Sequence, residues 1–264
     1  MESSKIHFLT FALLGVLALP ISAEVSLSHS DAMRIGRKIW QNECGGTVAG
    51  LTSWNVGEKF ASLGIGHFIW YPAGSPGPFE ESFPSFVRYV ERHGGKLPAL
   101  LGRNGGACPW NSRAEFVAAE SSASMKQLRI FLVDTIDFQA DFMVERLREA
   151  LPKMLAAAPP QERARIEEQF NRVASSSQGC YALIDYVNFK GEGVSMTERY
   201  QGHGWGLLQV LEGMSGHAEG TAAANDFADS ATAVLRARVK NAPSERGEAR
   251  WLPGWLNRVA TYRE

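Results

Sequence analysis

The chain has 264 residues, of which 45% are apolar and 21% are charged, and this is the balance of a globular protein with a sizeable core. Its formal net charge is -1, which argues against a nucleic-acid partner and gives no general attraction to an anionic polymer. Any polymer that binds must therefore be held by local contacts.

The N-terminal segment has the parts of a secretory signal peptide. Lys5 supplies a weak positive region, Phe8–Leu19 is an apolar run, and Ala23 is a small residue at the cleavage position. The run is short for a membrane span, although an uncleaved anchor or a buried helix remains the alternative. We predict a signal peptide over residues 1–23, export to the periplasm or the medium, and no stable membrane insertion after cleavage. Residues 24–264 are expected to form a single domain.

Three cysteines meet an oxidising compartment if the protein is exported. Their number is odd, so at least one stays free or pairs between chains. A bridge between Cys108 and Cys180 is possible, whereas the apolar surroundings of Cys44 favour a buried thiol. Neither C-x-x-C nor H-x-x-x-H occurs, so we expect no metal and no cofactor.

The predicted elements begin with a helix that Ser30 caps and that ends near Glu43, where Gly45 and Gly46 stop it. A β-hairpin follows, with one strand over residues 51–54, a second continuous strand over residues 59–71 and its turn at Asn55 to Gly57. From there helical patterns dominate, over residues 79–95, 112–158, 159–176, 179–189, 225–242 and 251–262. The predicted fold class is α+β, predominantly α, as one helix-rich domain with a small hairpin near the N-terminus.

Glu43 is the most informative residue of the first helix. It lies four residues after Ile39 and three after Trp40, so it shares their inward face. It also stands in the last helical turn, where the macrodipole is negative. Burial and the dipole both disfavour a carboxylate, so we predict a raised pKa, as a general acid requires. The same position also suits a glutamate that only hydrogen-bonds the hairpin.

The hairpin can supply the other half of a glycosidase site. A glycosidic bond is cleaved by an acid on one side and by a carboxylate or a positioned water on the other. Glu58 is the only carboxylate in the hairpin, although it also suits a solvated turn. Ser62 in the second strand could orient a water, or it could be an ordinary strand serine.

The order of Glu43, a hairpin and the segment Ser62–His67, "SLGIGH", resembles the phage-type lysozymes and the wider lysozyme-like superfamily. Those enzymes carry a catalytic Glu, an acidic residue in a hairpin, and a Thr just before Gly-Ile-Gly-His. The resemblance implies that Glu43 is the catalytic acid and that Ser62 takes the place of the threonine. It also implies a lysozyme-like fold, with a helical lobe and a small β-hairpin.

The chain departs from the family pattern at the second catalytic group. The family's acidic residue precedes the hairpin turn, where this chain has Trp54 or Asn55, and Glu58 lies beyond the turn. Glu58, Asn55 and Glu192 therefore remain alternatives, the last one if it reaches Glu43 across a cleft.

A second segment, Arg199–Leu211, is similar to the Gly-Leu-Met-Gln segment of goose-type lysozymes and lytic transglycosylases, which lines their saccharide cleft. Gln209 matches the glutamine of that segment. The catalytic Glu of that branch has no counterpart here, because Val187 and Asn188 stand in its place. Glu43 must then serve as the acid.

Sugars bind to aromatic faces that are edged by hydrogen-bonding groups. Residues of both types in or beside the two segments are candidate substrate contacts, namely Gln209, Tyr200, Trp205, Asn188, Glu192 and His67. Three more aromatic residues of the hairpin region could stack on a glycan or fill the core: Trp54, Trp70 and Tyr71. His67 equally suits a buried structural histidine.

The resemblance implies a secreted or periplasmic glycoside hydrolase that cleaves a β-1,4-linked amino-sugar polymer, first of all peptidoglycan. It also leaves open a lytic transglycosylase, a chitosanase, or a catalytically silent glycan-binding protein of the same fold. The expected partner is peptidoglycan or a related glycan, and the expected oligomeric state is a monomer. The sequence leaves retaining and inverting chemistry equally open.

Overall fold

The computed structural model describes residues 27–77, 79–102 and 108–263, so the predicted signal peptide lies outside the described residues. The helices are α1 His29–Cys44, α2 Phe83–Arg92, α3 Ala99–Gly102, α4 Arg113–Ala118, α5 Ala123–Asp134, α6 Ile136–Ala157, α7 Arg163–Ala174, α8 Ser177–Lys190, α9 Leu207–Gly213, α10 Thr221–Asn241 and α11 Leu252–Ala260. The strands are β1 Thr52–Ser53, β2 Ala61–Leu63, β3 Phe68–Trp70, β4 Arg199–Tyr200 and β5 His203–Gly204. The predicted α+β class, predominantly α, is confirmed.

Helix α1 begins two residues earlier than predicted. Ser28, not Ser30, is its N-cap, because the Ser28 hydroxyl accepts the backbone N–H of Asp31 at 3.1 Å and donates to the Asp31 carboxylate at 2.7 Å. This reciprocal pair needs an acidic partner three residues after the cap, which favours Ser28. The helix ends as predicted at Gly45, whose φ of 59° is left-handed.

Strands β1, β2 and β3 form an antiparallel sheet in that order, with Ser53 opposite Ser62. The predicted turn is confirmed, since the Glu58 N–H donates to the Asn55 carbonyl at 3.2 Å. The prediction of one continuous second strand is wrong. A tight turn over residues 64–67 separates β2 from β3, because Gly64 has a left-handed φ of 74°.

The long helical pattern over residues 112–158 divides into α4, α5 and α6. Ser112 and Ser122 each cap a new helix by accepting a backbone N–H, and Thr135 separates α5 from α6. Helix α6 lies at the centre of the fold and packs against α1, α2, α7 and α8. Helix α8 is buried as predicted and also packs against α10, which in turn packs against α11.

The possible bridge between Cys108 and Cys180 is not formed, since Cys44, Cys108 and Cys180 are all free and buried. Burial raises the pKa of Cys44 to about 12, of Cys108 to about 12 and of Cys180 to about 11. The buried thiol expected at Cys44 is thus confirmed. Across the described ranges, every helix is too short or too polar to cross a membrane.

A candidate glycosidase site around Glu43

The Glu43 carboxylate lies where the end of α1 meets the 64–67 turn, α8 and α11. Its Oε1 accepts from Arg258 Nη2 at 2.5 Å and from Asn188 Nδ2 at 3.3 Å, and its Oε2 lies 3.3 Å from His67 Nδ1. Both carboxylate oxygens therefore have protein partners. The side chain is 13% exposed, so a small part of it still reaches solvent. The structure therefore unites three sequence candidates: Glu43, Asn188 and His67.

The electrostatics of this site overturn one sequence prediction. Burial raises the pKa of Glu43, but the electrostatic interactions with Arg258 and His67 and the hydrogen bonds from Arg258 and Asn188 outweigh it. The pKa therefore lies below its ordinary value, and the predicted raised pKa is wrong. The reason is Arg258, which lies 215 residues further along the chain and was not visible in the local pattern. Glu43 is a carboxylate at neutral pH in the free protein.

Arg258 is itself fixed by a fully buried carboxylate, Asp185 of α8. The guanidinium donates to Asp185 through Nε at 2.7 Å and through Nη2 at 2.8 Å, and the Tyr262 hydroxyl donates to the same carboxylate at 2.6 Å. Burial opposes the charge of Arg258, yet Asp185 and Glu43 raise its pKa well above the ordinary value. Glu43 thus faces a permanent cation whose orientation α8 determines.

The 64–67 turn is held in place by Gln139, a fully buried residue of α6. The Ile65 N–H donates to Gln139 Oε1 at 2.8 Å, and Gln139 Nε2 donates to the Leu132 carbonyl at 2.6 Å. A Cβ at Gly64 would lie 2.4 Å from Gln139 Oε1, so this position requires glycine. The turn carries His67, with a φ of 47°, to the carboxylate of Glu43.

Glu58 and Ser62 lie apart from the carboxylate. Glu58 Oε2 is buried without a hydrogen-bond partner, and the Glu58 carbonyl accepts from Trp54 Nε1 at 2.9 Å. The Ser62 side chain is buried, and its carbonyl accepts from the Ser53 hydroxyl at 3.4 Å. Neither side chain forms a hydrogen bond or ion pair with Glu43 in the described part of the chain. The exposed Asn55 stays at the hairpin turn.

Glu192 and Gln209 are occupied by protein partners. Glu192 forms an ion pair with Lys153 at 2.8 Å, so the structure does not bring it to Glu43. Gln209 accepts the Gly206 N–H at 3.0 Å and donates to the Gly193 carbonyl at 3.1 Å. Both ends of its amide therefore hold the 191–206 segment to the start of α9, which is a structural task.

Tyr200 and Trp205 belong to a neighbouring cluster. Their ring centroids are 4.6 Å apart, the Tyr200 hydroxyl donates to the buried Glu248 at 2.8 Å, and the Arg238 guanidinium lies 4.1 Å from the Trp205 centroid. The aromatic residues of the hairpin region are core residues as well: Trp54, Trp70 and Tyr71 are all buried. Trp205 and these three hairpin rings are thus buried, and Tyr200 is half-buried.

An open pocket of about 390 Å³ lies beside Arg258 and was missed from the sequence. Its walls come from the C-terminal end of α1, the end of α8, and α11, and they comprise Asn42, Phe189, Gly254, Trp255, Asn257, Arg258 and Thr261. A signal is present in the sequence, because Trp251, Trp255, Arg258 and Tyr262 recur at helical spacing in α11 and its two flanks. The sequence analysis predicts a helix over residues 251–262 and no site on it.

No group of three His, Cys, Asp or Glu side chains among the described residues is placed to hold a metal ion. Comparisons of the chain with protein-family models, with curated proteins and with solved structures found no match.

Proposed function

We propose that this protein is a secreted or periplasmic enzyme of lysozyme-like fold that cleaves a β-1,4-linked amino-sugar polymer, with peptidoglycan as its first candidate substrate. Glu43 is the catalytic carboxyl. One observation carries the proposal: a nearly enclosed carboxylate is held at both oxygens by Arg258, Asn188 and His67, which come from three distant segments. Buried ion pairs of this kind seldom stabilise a fold better than apolar residues would, so they favour a functional role.

In this proposal Glu43 protonates the leaving glycosidic oxygen, as the resemblance to phage-type lysozymes implies. Because its pKa is lowered in the free protein, the acid form is most populated at acidic pH. Cleavage should therefore fall as pH rises through that lowered pKa. The opposite slope would assign Glu43 the role of a base or of a carboxylate that stabilises the oxocarbenium-like transition state.

A lytic transglycosylase is the second candidate, and the state of the other carboxylates favours it. Asp185 is fully buried and bound to Arg258 and Tyr262, while Glu192 is bound to Lys153. Glu43 is then the available carboxyl of the described site. A transglycosylase needs only one such group, since a hydroxyl of the substrate sugar is its nucleophile.

The decisive experiment compares the clearing of purified cell walls by the wild type, Glu43→Gln and Glu192→Gln. Glu43→Gln keeps the shape of the side chain but removes the transferable proton, so clearing should fall by a factor of about 10² to 10⁴. Glu192→Gln makes the same chemical change outside the site and should retain activity. Reducing ends in the products, measured by mass spectrometry, identify a hydrolase, and anhydro-sugar ends identify a transglycosylase. Wall binding without clearing by the wild type would refute the enzyme and leave a glycan-binding protein.

A further inference from the structure

The pocket beside Arg258 has two aromatic walls. Phe189 at the end of α8 and Trp255 in α11 have ring centroids 6.4 Å apart and lie nearly perpendicular, with an interplanar angle of 76°. Trp251, one helical turn before Trp255, has its centroid 6.2 Å from that ring and is 44% exposed. An aromatic surface therefore runs from the pocket to the outside of the protein.

The remaining walls of the pocket carry hydrogen-bonding groups. Asn42, Asn257 and Thr261 supply two amides and a hydroxyl, and Arg258 supplies part of its guanidinium. The volume of about 390 Å³ falls in the range of small-molecule pockets, which is roughly 300–1,000 Å³. Ring faces bordered by amides and hydroxyls match the alternating apolar faces and polar edges of a sugar ring.

Lys190 holds the two aromatic walls in position. Its Nζ lies 3.9 Å from the Phe189 centroid and 3.6 Å from the Trp255 centroid. Rings that are already fixed before a ligand arrives lose little entropy when it binds, which favours a binding surface over a flexible patch.

We infer that this pocket is a saccharide subsite that holds one N-acetylated hexosamine unit, with Trp255 as the stacking wall and Trp251 as its outward extension. Its place in the site follows from Arg258, which lines the pocket and also donates to Glu43 at 2.5 Å. Asn42 lines the pocket one residue before Glu43. A unit bound here is separated from the carboxylate by a single guanidinium, and the identity of the polymer rests on the proposed function.

The test is a titration of tri-N-acetylchitotriose into Glu43→Gln protein, followed by tryptophan fluorescence and by calorimetry. Adding Trp255→Ala should weaken the Kd at least tenfold, because stacking and wall area are lost together, and adding Trp251→Ala should weaken it severalfold. Trp255→Phe keeps a ring in place and should retain most of the affinity. Ile130→Ala is the matched control, since Ile130 is 60% exposed in α5 and lines a different pocket.

Equal Kd values for Glu43→Gln with and without Trp255→Ala would overturn the subsite, as would an absence of binding by Glu43→Gln itself. Unfolding curves show whether Trp255→Ala is folded. If it is not, the severalfold loss expected for the exposed Trp251→Ala decides the matter, and an unchanged Kd there overturns the subsite. The proposed function fails separately: binding that depends on Trp255 without wall clearing by the wild type retains the subsite and refutes the enzyme. Wall clearing by the wild type, together with a Kd that Trp255→Ala does not change, would retain the enzyme and refute the subsite.

Discussion

Replacing Arg258 with Met tests the central feature of the site. Met keeps an apolar stem against Phe189 but removes the charge that binds Glu43 and the fully buried Asp185. Removing one partner of a buried ion pair typically costs about 3–5 kcal/mol, because the other charge stays buried without compensation. At about 2–4 °C per kcal/mol for a domain of this size, Tm should fall by roughly 6–20 °C.

Thermal unfolding at neutral and acidic pH measures this loss. The control is Arg263→Met, whose partner Asp229 is 70% exposed, so the expected change is within about 1 kcal/mol. The folded-state pKa of Glu43 is lowered, so its contribution is present above the unfolded pKa and is lost as pH falls through the folded value. The difference between wild type and Arg258→Met should therefore shrink in acid. A loss below about 1 kcal/mol at neutral pH, or a difference that grows in acid, would refute the reasoning.

Three further predictions follow from the same structure. Native protein should not react with a thiol reagent at mildly alkaline pH, whereas unfolded protein should titrate at Cys44, Cys108 and Cys180. Gly179→Ala should lower the free energy of unfolding by about 1–3 kcal/mol or more, because its Cβ would lie 1.8 Å from the Val173 carbonyl oxygen. In the same unfolding curves Gly254→Ala should be neutral or stabilising, because its Cβ would meet nothing within 4 Å. If Glu43 is the acid, the pH above which wall clearing declines should move upward in Arg258→Met, and an unchanged profile would contradict that role.

Local signals in the sequence were sufficient for the elements that present Glu43. Gly45 ends α1 because its left-handed backbone stops the helix, and the Asn55 turn closes on Glu58 as its residue types predict. The sequence places the N-cap at Ser30 because Ser28 and Ser30 are both suitable caps. Only the pair of hydrogen bonds between the Ser28 hydroxyl and the backbone N–H and carboxylate of Asp31 distinguishes them. The sequence predicts strand across the 64–67 turn because the apolar residues on both sides of it suit one continuous strand.

The site itself depends on contacts that have no local signature. Burial raises the pKa of Glu43 as the sequence predicts, but a guanidinium 215 residues away reverses the net shift. Gln209 matched a saccharide-binding motif, yet its amide is bound to the backbone of Gly193 and Gly206. The proposed stacking surface lies instead on α11, which the sequence predicts only as a helix, because helical spacing alone does not say which face lies beside a pocket.

The contact between Glu43 and Arg258 joins the earliest described helix to the latest one. During synthesis, a growing chain that has produced α1 through α10 still lacks the Arg258 guanidinium, although Asn188 and His67 are already present. The ion pair forms only after the 215 residues that follow Glu43, up to and including Arg258, have been synthesised and α11 has packed back beside α1. Contacts between residues so far apart in sequence carry a large loop-closure cost and form slowly. A chain that stops before residue 258 therefore lacks the guanidinium that binds Glu43 and lowers the pKa of its carboxyl.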